Sequence, residues 1–163
     1  MRKRLAVLAF FLWPALSWAS GWVYHQREDK MGGTVYSASV LSVNSISFGF
    51  PYQGEQRAML SIRKHPRRGT SVMISILRGQ FVCRWSDCAL LVRFDDRKAI
   101  RLAALEPSDG STELVFFDRD ISPEIRKSSV LRVEAVFYQE GARVFEFDVS
   151  GLVWPPAAVG SKK

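Results

Sequence analysis

From Thr34 to Val149 the sequence is a succession of short runs rich in Val, Ile, Phe and Tyr, each ended within a few residues by turn-forming residues. That punctuation leaves no stretch long enough for a helical period to develop, and it constrains the fold more than any other feature. Thr34–Leu41 carries Val35, Tyr36 and Val40, and Ser45–Phe50 alternates through Ile46, Phe48 and Phe50 before the turn at residues 51–54. Ala58–Arg63 alternates around Leu60 and Ile62, His65–Gly69 turns, and Val72–Leu77 is a β-branched run. Phe81–Cys83, Ala89–Phe94, Ile100–Leu105, Leu114–Phe117, Val130–Tyr138 and Arg143–Val149 complete the series. Strands at this spacing predict an all-β fold, a single antiparallel β-sandwich or barrel.

One hairpin can be specified in detail. Gln139-Glu140-Gly141 is a three-residue connection ending in glycine, which suits a type I turn followed by a left-handed residue. The predicted register pairs Ala135 with Phe145, Val133 with Phe147 and Leu131 with Val149, leaving Arg132, Glu134, Glu146 and Asp148 on the opposite face. Helix is expected only at Ser122–Lys127, with Ser122 as N-cap and Pro123 in the first turn. With 163 residues, 47% of them apolar and 24% charged, the chain has the size and composition of one folded domain.

The N-terminus reads as an export signal. Arg2, Lys3 and Arg4 precede an apolar stretch from Leu5 to Leu16, and Ser17-Trp18-Ala19 places small residues at the −3 and −1 positions of a cleavage site. The stretch is short against the ~20 residues that span a bilayer. The expected organisation is therefore a signal at 1–19, a β-domain at 20–154 and a disordered tail at 155–163, with no transmembrane segment in the mature, periplasmic chain. Cleavage removes three basic residues and no acidic ones, so the formal charge falls from +7 to +4, with 20 basic residues against 16 acidic. That residue of charge suits mild affinity for anionic envelope components. Cys83 and Cys88, an even pair close together in an exported chain, are expected to form a disulfide stapling a hairpin.

The material for catalysis is thin. A Ser–His–Asp arrangement would have to recruit His25 or His65, and no G-x-S-x-G occurs. Asp95-Asp96 and Asp118/Asp120 are the only close carboxylates of interest, and Asp-Asp-Arg-Lys also reads as a plain turn. No metal-ligand spacing or cofactor motif is present, so neither a metal nor a cofactor is expected. The strongest local charge feature is Arg63-Lys64-His65-Pro66-Arg67-Arg68, a basic turn able to contact an anionic polymer or to keep a sheet edge solvated. Without interleaved aromatics it does not suit nucleic acid. Trp22, Tyr24, Tyr52, Trp85 and Trp154 lie at chain ends or in turns, from which side chains could reach a partner, and Trp154 is at least equally suited to capping the core. The candidate contacts are Tyr52, Arg63, Lys64, Arg67, Arg68 and Trp85.

Asp29-Lys-Met31, Leu60-Ser-Ile-Arg63, Arg93-Phe-Asp-Asp96 and the closing Phe145-Glu-Phe-Asp-Val-Ser-Gly-Leu152 give the chain a resemblance. It resembles the periplasmic accessory proteins of type VI secretion loci, the TagO/VasI kind, and small exported proteins carried on mobile elements. The resemblance implies an accessory β-domain of the cell envelope and transfers no catalytic residues. The expected function is non-enzymatic binding of an envelope protein or an anionic envelope polymer. The alternatives are an inhibitor or immunity protein against a wall hydrolase, acting through Trp85 or Asp87, and a wall-active enzyme using Asp95 or Asp96.

Overall fold

The computed structural model describes residues 21–83 and 88–155. The expected signal at 1–19, Trp85 and Asp87, and residues 156–163 of the expected tail lie outside the described residues. Apart from one short helix, the regular structure of the described residues is all strand. Its elements are β1 (Val23–Glu28), β2 (Thr34–Leu41), β3 (Ile46–Phe48), β4 (Gly54–Gln56), β5 (Ala58–His65), β6 (Gly69–Ile76), β7 (Ala89–Phe94), β8 (Ile100–Leu105), β9 (Leu114–Phe117), α1 (Ser122–Arg126), β10 (Val130–Phe137) and β11 (Gly141–Asp148). Nine strands form one antiparallel sheet in the order β1-β2-β5-β6-β9-β8-β7-β10-β11, and β3 pairs with β4 separately.

The alternation visible in the sequence becomes the division between core and surface. Leu60 and Ile62 on β5, Val72 and Ile74 on β6, Leu131 and Val133 on β10, and Phe145 and Phe147 on β11 are all fully buried. Because successive strand residues face opposite ways, each run contributes every second side chain to one shared interior. The sheet folds over at β9, which meets β8 through only two rungs, Ala104 to Phe117 and Leu105 to Phe116. The result is sandwich-like, with β1-β2-β5-β6 facing β8-β7-β10-β11 across a single core. It is not a closed barrel, because β1 and β11 do not pair.

The far edge is nevertheless covered. Beyond β2 the chain crosses to β11, where Val43 N–H donates to the Glu146 carbonyl at 2.7 Å. Asn44 then grips the same edge with both ends of its amide. Its Nδ2 donates to the Val144 carbonyl at 2.9 Å, and its Oδ1 accepts from Glu146 N–H at 2.8 Å. A side chain thus does for two rungs what a tenth strand would do, and it removes an exposed edge.

The β10–β11 hairpin has the predicted faces, with a three-residue turn shifted one position toward β10. Its register pairs Val133 with Phe145, Leu131 with Phe147 and Arg132 with Glu146, two residues away from the prediction. Phe137 pairs with Gly141, and Glu140 N–H closes the turn on the Phe137 carbonyl. Tyr138 is absorbed into the turn, where Gln139 takes a φ of 60° as well as Gly141 at 69°. A slip of two leaves every side chain on its original face, so burial alone does not distinguish the two registers. Arg132 and Glu146 end directly opposite each other, 2.6 Å apart.

Three smaller expectations are corrected. Cys83 and Cys88 are bonded, with Cα atoms 4.5 Å apart, but their flanks are not the two arms of a hairpin. Phe81 bridges Phe137 and Val82 N–H donates to Val136, while β7 pairs further down the same edge of β10. The disulfide therefore closes an excursion between two segments running in the same direction. In α1 the cap position is Ile121, and Ser122 lies inside the helix. The Asp120 carboxylate accepts from Ser122 N–H at 2.8 Å and so takes the part expected of the serine hydroxyl. Finally, Trp22, expected among the exposed aromatics, is buried at 6% exposure with its Nε1 donating to the Val149 carbonyl, while Trp154, also 6% exposed, takes the core-capping alternative. They cap the core; Tyr24 remains exposed and its hydroxyl accepts from Val153 N–H.

Candidate binding face

The basic turn does not act as one patch. Strand alternation splits it, since Lys64 follows Leu60 and Ile62 on the inward parity of β5 whereas Arg63 and His65 face outward. Arg67 is drawn across to the β1–β2 turn, where its guanidinium lies 2.6 Å from Asp29 Oδ2. His65 Nε2 faces the same oxygen at 3.6 Å, and its Nδ1 accepts from Arg67 N–H at 3.2 Å. The two turns also pack closely. Gly33 has a φ of +89°, and a Cβ there would sit 2.9 Å from Pro66 Cβ. The Met31 backbone N–H, then the charges of Arg67 and His65, hold the Asp29 carboxyl below its ordinary pKa. Residues 65–67 therefore clamp one turn to another, and His65 has both ring nitrogens engaged. Arg68 is exposed.

Registers across β1, β2, β5 and β6 place the outward residues in rows. His25, Ser37, Arg63 and Ser71 form one row, and Val23, Ser39, Ser61 and Met73 form the next. Arg27 stands opposite Val35, and Ser75 stands opposite Met59. This face therefore presents five serines (37, 39, 61, 71 and 75), two arginines and two histidines, with no carboxylate at any outward strand position. The hydroxyls of Ser39 and Ser61 bond each other at 2.9 Å.

Two shallow hollows, of about 220 and 260 Å³, lie on this face and share Arg27 and Val35. The first is walled by His25, Ser37 and Arg63, and the second is rimmed by Glu28, Asp29, Lys30 and His65. Val35 is 5% exposed although it points outward, so it forms an apolar floor beneath charged walls. The Arg63 guanidinium reaches over β6 to the Phe116 ring, 6.0 Å from its centroid, and its Nε is buried without a hydrogen-bond partner. Among the described residues, the side chains of His25 and Arg27 also have no partner. Arginines without an ion-pair partner, on a face whose outward strand positions carry no carboxylate, generate a field that attracts anions, and Glu28 and Asp29 limit it only at the β1–β2 end.

The remaining sequence candidates do not join this face. Tyr52 is half-buried against the core, in the loop between β3 and β4, and its carbonyl accepts from Gln56 Nε2. Asp95 Oδ1 accepts from Ser129 N–H at 2.8 Å and Val130 N–H at 2.9 Å. Those two bonds, Val130 first, hold its carboxyl below the ordinary value and fix the start of β10. Asp96 is fully exposed, 3.6 Å from Arg93. The two carboxylates thus share neither an environment nor a cleft. No group of three or more His, Cys, Asp or Glu side chains suited to a metal ion occurs among the described residues.

Sequence reasoning missed β1 and, with it, His25 and Arg27 as members of a face. The serines were legible in principle: Ser37 and Ser39 alternate with Ala38 and Val40, and Ser71 and Ser75 with Val72, Ile74 and Ile76. No family model, curated protein or solved structure matches the chain.

Proposed function

We propose that this chain is a non-enzymatic binding domain of the bacterial envelope, exported to the periplasm, which holds an anionic envelope protein or polymer on its serine–arginine face. The observation that carries the reading is the combination of Arg27, Arg63, His25 and five serine hydroxyls on one sheet face with no carboxylate at an outward strand position. Guanidinium groups recognise carboxylates and phosphates through paired N–H donors, and neighbouring hydroxyls supply further donors without adding charge. A rigid sheet presents them at little ordering cost.

The expected signal at 1–19 and the Cys83–Cys88 bond both suit an oxidising compartment. An accessory role beside a secretion machine is the form that the resemblance to type VI accessory proteins implies. The test is co-sedimentation of the mature chain with isolated cell envelopes at increasing salt. Binding that weakens as salt rises, and that is lost in an Arg27→Ser/Arg63→Ser variant with an unchanged unfolding midpoint, supports the reading. Binding that is absent, or equal in the variant, rejects it.

A further inference from the structure

We infer that a second site, on the inward side of the β5–β6 end, binds a single carboxylate-bearing sugar ring. A cavity of about 250 Å³ opens there between the end of β5–β6, helix α1 and the C-terminal segment. One wall is Lys64 and Thr70, which stand directly opposite each other across β5 and β6. The other is Asp120 and Arg126, at the two ends of α1, with Trp154 and Pro155 closing the apolar side.

Three properties of this cavity select the ligand. Lys64 has no partner among the described residues, and Arg126 spends one N–H on the Trp154 carbonyl at 2.8 Å, which fixes its guanidinium and leaves further donors. Together they call for an anion. Asp120 is a carboxylate in the same cavity; its Oδ1 takes Ser122 N–H, and its second oxygen is an unused acceptor that calls for a hydroxyl or amide donor. A dianionic phosphate would be repelled by that carboxylate, whereas a singly charged carboxylate on a polyol offers both the anion and the donors. The Trp154–Pro155 side suits the apolar face of a ring. The volume lies below the roughly 300 Å³ at which pockets hold drug-sized molecules, so one ring fits. This site lies on the opposite face from Arg27 and does not depend on the binding face described above.

The test is a titration of the mature chain with glucuronate, followed by amide and indole NMR shifts. Saturable shifts at Lys64, Thr70, Arg126 and the Trp154 indole are expected. Binding should weaken at least about tenfold in Lys64→Met and remain unchanged in Arg27→Ser. Lys64 is exposed, so Lys64→Met retains the fold, and Thr70→Ala gives a second, milder loss. N-acetylmuramate tested in parallel separates the two sources of such a group. Tighter binding than glucuronate indicates a wall glycan, and weaker binding indicates a uronic acid polymer; either supports the site. Glucose or inorganic phosphate binding as well as glucuronate, no saturable shift, or a shift unaffected by Lys64→Met overturns it.

Discussion

Asn44→Ala tests whether one side chain holds the sheet's far edge. The substitution removes two hydrogen bonds, Nδ2 to the Val144 carbonyl at 2.9 Å and Glu146 N–H to Oδ1 at 2.8 Å. Net hydrogen bonds contribute about 0.5–1.5 kcal/mol each, and the exposure of the first places the pair in the lower half of the combined range, about 1–2 kcal/mol. For a domain of this size that corresponds to a fall in Tm of about 3–8 °C. The second readout is local. Glu146 N–H points away from β10, and its acceptor is the Asn44 amide, so hydrogen exchange at Glu146 should accelerate about fivefold or more while the buried Phe147 amide follows only the global change. A Tm within about 1 °C of wild type, with Glu146 protection unchanged, would refute the view that Asn44 stands in for a strand.

Other perturbations address the core, the turn clamp and the carboxylates. Phe137 stacks against Phe81 at 4.6 Å, Phe48 at 5.3 Å and Phe145 at 5.9 Å, so Phe137→Ala should cost about 3–5 kcal/mol in urea unfolding. Gly33→Ala combines a left-handed backbone with the clash against Pro66; it should cost upwards of about 1–2 kcal/mol, measured in the same way. Asp95 has its pKa depressed in the fold, so it stabilises the native state above the ordinary aspartate pKa, and that contribution is lost as pH falls through its folded value. Asp95→Asn should therefore flatten the acid limb of the stability-versus-pH curve, and an unchanged slope would contradict its role as a backbone acceptor.

How far the fold could be read in advance depended on burial. β5 and β6 were legible because Leu60, Ile62, Val72 and Ile74 alternate with outward residues, and this alternation is imposed by the core. β1 was not, because all six of its side chains are exposed and no apolar period marks it; its six rungs to β2 hold it. The hairpin register slipped by two for a related reason, since period-2 burial fixes the face and leaves the turn to decide the pairing. Asp95 read as a plain turn residue, and its positive φ and backbone bonds agree with that reading.

The candidate site was harder to read, because a charge run in sequence is not a charge patch in a sheet. Arg63 and Lys64 are adjacent in the chain but belong to opposite faces. Arg67 is neutralised by Asp29, 38 positions away, which no local reading could reveal. The cysteine pair was recognisable from spacing and compartment, whereas the course of its flanks depended on β10, which follows it by more than forty residues.

The central claim, that the serine–arginine face is where this domain meets its partner, is tested most directly by crosslinking in the living cell. A photoreactive residue replaces Ser37, in the middle of the face, and a second variant carries it at the exposed Gln139 in the β10–β11 turn. The account predicts a discrete envelope adduct from position 37, abolished by Arg27→Ser/Arg63→Ser, and none from position 139. No adduct from 37, or the same adduct from both positions, would contradict it.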